Sequence, residues 1–69
     1  MTTIFMPLLN EGTDVWRPVA AIPMADDTYR VEGEMDEDEE WAFAPGSIVR
    51  CEVKRFHEGE GLTAVSLAR

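Results

Sequence analysis

Cys51 and His57 are the only thiol and the only imidazole in this chain, and a thiol whose proton is drawn off by a nearby imidazole is a nucleophile. The residues around them argue against that chemistry. From Val49 to Lys54 the chain alternates, which sets Cys51 on one face of a strand with Val49 and Val53 and places Arg50, Glu52 and Lys54 on the other. A thiol on the inward face resists ionisation and is inert. His57 opens a loop six residues further on, with no third group to orient its ring. The expectation is a core cysteine and no catalytic residue.

The second candidate is acidic. Seven of the fourteen acids lie between Glu32 and Glu40. The run Glu34-Met35-Asp36-Glu37-Asp38-Glu39-Glu40 gathers oxygen donors that could bind a cation, but it lacks the mid-loop glycine and regular ligand spacing of the helix-loop-helix calcium site. No Cys/His metal spacing and no glycine-rich phosphate loop occurs either, so no metal and no cofactor is expected. Mutual repulsion makes residues 33–40 a solvated loop, and a loop of that charge suits docking against a basic protein surface.

A third constellation is aromatic. Trp16, Tyr29, Trp41, Phe43 and Phe56 could line a groove for an extended proline-rich segment. In so short a chain the same rings are the main source of buried area, and both tryptophans are expected chiefly in the core. Arg17 follows Trp16 and so points to the opposite face of its strand; it is the residue expected on display, paired with Asp14 or with the acidic loop. The partner-binding candidates are therefore Arg17, Pro18, Asp36, Glu37, Asp38, Glu39, Glu40 and Trp41.

The elements that must position these residues follow from length and patterning. The 69 residues make one domain, 1–69, near the lower limit for a self-sufficient core, and one cysteine allows no intramolecular disulfide. A second copy of the chain is one further source of buried surface. The net charge of −8 repels nucleic acid and anionic lipid. No apolar run is long enough to span a membrane, and the start MTTIFMPLLNEG lacks the basic segment of a signal peptide, so the expected compartment is the cytoplasm.

Short alternating runs bounded by turn residues predict strands and no helix. Residues 2–9 form the first, with Ile4, Met6 and Leu8 on one face and Phe5 and Leu9 on the other. Pro7 marks an edge. Residues 10–14 turn the chain, residues 15–22 form a second strand in which Pro18 again marks an edge, and residues 23–27 turn it back. Thr28 to Glu32 places Tyr29 and Val31 inward. Beyond the acidic loop, Trp41 and Phe43 face inward, Pro45-Gly46 turns, and residues 47–56 form the clearest strand. A glycine-bearing loop over 57–61 then leads into a last strand, 62–68, with Val65 and Leu67 on one side. Turns every eight to twelve residues predict an all-β fold, a small barrel of about five antiparallel strands.

The pattern LLNEGTDVWRPV, followed by an acidic segment and EEWAFAPGSIVRCE, resembles a family of short bacterial proteins for which no activity is known to carry over. Its distinctive positions here are Glu11, Gly12, Trp16, Arg17, Pro18, Trp41, Phe43, Pro45, Gly46, Val49 and Cys51. At the level of fold, the Phe43-Ala44-Pro45-Gly46 turn before a long strand resembles Src-homology-3-like small barrels. That resemblance implies a binding module, with the partner left open. The expected function is a small acidic, non-enzymatic interaction or regulatory module, and the alternative is a charge-mimic inhibitor of a basic nucleic-acid-binding protein or toxin.

Overall fold

Alternating runs separated by glycine, proline, asparagine and aspartate become strands throughout. The computed structural model describes residues 1–57 and 59–68. Its strands are β1 (Thr2–Pro7), β2 (Trp16–Ala25), β3 (Thr28–Val31), β4 (Ile48–Phe56) and β5 (Gly59–Leu67). Each pairs with the next in antiparallel fashion, and β1 returns to β5 to close the barrel. The fold is all-β, consistent with a small Src-homology-3-like barrel. One pairing departs from the expected antiparallel pattern, because β1 meets β5 in parallel through Phe5 and Thr63.

The strand prolines sit where the ladder does not need them. Leu8 N–H donates to Val15 at 2.9 Å, and Phe5 faces Pro18 while Pro7 faces Trp16. Hydrogen-bonded and non-bonded pairs alternate along an antiparallel ladder, so Pro7 and Pro18 fall in non-bonded pairs. On its other side β2 meets β3 only from Ala21 onward, and the missing Pro18 N–H faces that gap. The edge expected at Pro18 is real, although the sheet closes elsewhere.

The interior is filled by alternate residues of every strand. Ile4, Met6, Val19, Ala21, Val31, Val49, Cys51 and Ala64 are buried together with Trp41, and Leu8, Tyr29, Phe43 and Leu62 pack against them. One expectation about faces fails. Val53 shares the parity of Val49 and Cys51 yet is 64% exposed, because β3 pairs with β4 only as far as Arg50, one further bond reaches Cys51, and Val53 lies beyond that cover. Val65 and Leu67 are also exposed. The register moves from Arg50 opposite Ser66 to Cys51 opposite Ala64; Val65 is thus the extra residue of a bulge, and the bulge breaks the alternation.

Boundaries shift as well. β5 begins at Gly59, paired with Phe56, so the loop expected over 57–61 is much shorter, and Glu58 lies outside the described residues. At the other end Asp26 turns the chain between β2 and β3 with φ at 48°, a conformation in which aspartate is better tolerated than most residues.

Burial ranks the substitutions. Ile4 is fully buried and Val53 mostly exposed, so Ile4→Ala should cost about 2–5 kcal/mol in urea unfolding, whereas Val53→Ala should change stability by no more than about 0.5 kcal/mol. Equal losses would contradict this packing.

Candidate functional site

The acidic segment is held against the barrel by its C-terminal end. Leu8 and Trp41 form an isolated antiparallel bridge, Leu9 N–H donates to the Glu40 carbonyl at 2.7 Å, and Ala42 N–H donates to the Pro7 carbonyl at 2.9 Å. These bonds deliver the Trp41 indole to the core, where it is 6% exposed. Its Nε1–H donates to Glu39 Oε1 at 3.1 Å, and the other oxygen of Glu39 receives Arg17 at 2.8 Å. The same carboxylate therefore satisfies a buried indole and fixes the strand residue beside it. Glu40 accepts from Asn10 Nδ2 at 3.1 Å.

This corrects the picture of a freely solvated loop over its last residues. Glu39 is half-buried and committed, and Trp41 is buried and not available to a partner. The internal pairing expected for Arg17 is with Glu39; its side chain remains 50% exposed. Pro18, Asp36, Glu37 and Asp38 are exposed. Asp36 shapes the tip, since its side chain accepts from Asp38 N–H at 3.0 Å and its carbonyl accepts from Glu39 N–H at 3.0 Å. The structure thus presents Asp36, Glu37 and Asp38 on a defined turn, with Arg17 and Glu39 binding that turn to β2.

Trp16 is the other correction. It packs outside the core, edge-on to Phe56 with centroids 5.4 Å apart, while Phe56 lies 4.8 Å from Phe5 and the Lys54 ammonium sits 5.0 Å over the Trp16 ring. Phe5 rests on Gly61, where a Cβ would overlap the ring. An open groove of about 460 Å³ runs along this cluster, lined by Phe5, Trp16, Phe56, His57, Gly59 and Glu60. Of the five aromatics that could line a groove, Trp16 and Phe56 do so. Phe5 was missed, although its position opposite Ile4 and Met6 in β1 was the available signal.

Cys51 and His57 do not meet. Cys51 is 2% exposed in the core, and His57 lies beyond the far end of β4, six extended residues or about 20 Å along the chain. Burial, reinforced by the Asp27 carboxylate, pushes the thiol from 9.0 up to about 11. Among the described residues, no three His, Cys, Asp or Glu side chains come together as a cage for a metal ion.

No family model matches the chain, and neither the curated proteins nor the solved structures return a match. Any functional reading rests on the geometry.

Two measurements check this geometry. Glu39→Ala leaves the buried Trp41 N–H without its acceptor and should cost about 1–3 kcal/mol; an unchanged urea midpoint would deny the Glu39 contact. For Cys51, a folded-state value above the unfolded one means that its contribution is intact below pH 9 and is lost as pH rises from 9.0 toward about 11. Wild type should therefore lose roughly 1–3 kcal/mol more than Cys51→Ala across that window. Parallel curves for the two proteins would remove the buried-thiol account.

Proposed function

We propose that this chain is a small non-enzymatic interaction module that docks a basic protein surface through the acidic turn Asp36-Glu37-Asp38. The observation carrying this reading is pre-organisation. The turn is closed by its own hydrogen bonds and fastened to the barrel through Glu39 and Arg17, while none of its three carboxylates joins an ion pair among the described residues. A loop already in shape loses little conformational entropy on binding, so its charge can be spent on the partner.

Fixed, uncompensated acids also favour the alternative reading, in which the same turn imitates phosphate charge and occupies the basic groove of a nucleic-acid-binding protein or toxin. The setting that fits both is the cytoplasm of a bacterium. Supporting the compartment is the single free thiol, which forms no disulfide. No helix among the described residues is long and apolar enough to cross a membrane.

The test is capture from native bacterial lysate at low and high salt, comparing wild type with an Asp36→Ser, Glu37→Ser, Asp38→Ser variant that leaves Glu39 in place. The variant should keep the wild-type unfolding midpoint to within about 0.5 kcal/mol. One basic partner should be recovered by wild type at low salt and lost with salt or with the variant. Capture by both proteins at high salt would move docking away from the acidic turn. Inhibition of the captured partner's nucleic-acid binding would select the charge-mimic reading.

A further inference from the structure

β4 outruns its neighbour. β3 pairs with it only from Ile48 to Arg50, one more bond runs from Cys51 N–H to the Asp27 carbonyl at 2.8 Å, and the chain then turns into β2. Among the described residues, β5 is the only strand paired with β4 from Glu52 to Phe56.

Register gives the direction of the remaining backbone groups. Phe56 pairs with Gly59, and a pair that closes a two-residue hairpin is hydrogen-bonded. Lys54 with Gly61 and Glu52 with Thr63 are then hydrogen-bonded too, and Val53 and Arg55 occupy the intervening non-bonded pairs. Their N–H and C=O groups point away from β5, on the side where Cys51 N–H reaches Asp27. This leaves an open edge spaced to receive one more strand.

The chemistry of the edge selects what can add to it. On this free segment Lys54 and Arg55 stand against Glu52, a locally basic stretch in a chain of net charge −8. Arg50 is paired with Glu52 and Arg55 with Glu60, while Lys54 has no acidic partner among the described residues and lies over Trp16. Val53, 64% exposed, supplies apolar surface on the other face of the same edge. A second copy fits poorly, because antiparallel pairing of the two free segments, Val53 opposite Arg55, sets Lys54 against Lys54, and like charges directly opposite repel.

We infer that the β4 edge accepts an extended acidic segment of a partner protein as an added antiparallel strand, with a carboxylate opposite Lys54 and backbone bonds at Val53 and Arg55. The added strand uses none of the Asp36-Glu37-Asp38 carboxylates.

The probe is a dye-labelled peptide of alternating valine and glutamate, read by fluorescence polarisation and by amide hydrogen exchange of the protein. Val53 and Arg55 amides should exchange freely without peptide and become protected with it. Lys54→Glu should weaken binding roughly five- to tenfold. Val53→Pro removes the outward N–H without removing a hairpin bond and should abolish binding; the Lys54→Glu result stands alone if the proline variant does not fold. The Asp36→Ser, Glu37→Ser, Asp38→Ser variant should bind the peptide at least as well as wild type, which separates this edge from the acidic turn. Absence of binding, equal binding of a valine-lysine peptide, or binding without protection of Val53 and Arg55 would overturn the proposal. Protection that grows with protein concentration in the absence of peptide would overturn it in favour of self-pairing.

Discussion

A five-stranded sheet becomes a barrel only if its first strand meets its last, and here that seam carries one ladder pair, Phe5 opposite Thr63. Side chains supply most of what the backbone leaves out. Phe5 reaches from β1 onto Gly61 of β5, Phe56 of β4 stacks against it, and Trp16 of β2 completes the cluster. Gly61 permits this because any side chain there would displace the ring. Aromatic pairs at these separations add about 0.5–1.5 kcal/mol each beyond the area they bury, a sizeable contribution for a domain whose total stability is expected to be only about 3–10 kcal/mol.

Committing those rings to the seam leaves the core short of large side chains. Apart from Trp41, it holds valine, alanine, one cysteine, Ile4 and Met6. Trp41 makes up the volume, entering from the segment between β3 and β4 and bringing the end of the acidic loop with it. Glu39 then acquires a structural duty, since the indole N–H drawn into the core must keep an acceptor. A packing requirement thus divides the acidic run: Glu39 and Glu40 hold the segment to the barrel, while Asp36, Glu37 and Asp38 remain outside on a shaped turn.

The charge distribution follows the same division. The acids of the turn join no ion pair among the described residues, whereas on β4 Arg50 and Arg55 are paired with Glu52 and Glu60 and Lys54 lies over Trp16. The open edge on β4 arises from strand lengths, β3 spanning four residues and β4 nine. Lys54 guards that edge against pairing with its own kind.

The sequence by itself determined the strands, most of the turns, the all-β class and most of the interior. Local alternation and turn chemistry are properties of neighbouring residues; they place Val31, Val49 and Cys51 inward and set Ile4 and Met6 together on one face without reference to the rest of the chain. An internal partner for Arg17, either Asp14 or the acidic loop, was legible too, because the chain offers few cations and seven of its fourteen acids lie between Glu32 and Glu40. Tertiary structure alone decided the rest. A period of two distinguishes the faces of a strand but not where its neighbours end, so Val53 passes out of the core when β3 stops, and Val65 turns outward at a bulge. Nor can alternation say which of two apolar faces is inside: Trp16 went to the seam and Trp41 to the core because barrel closure brings Phe5, Phe56 and Gly61 to the one and Leu8 to the other, through contacts between residues far apart in sequence.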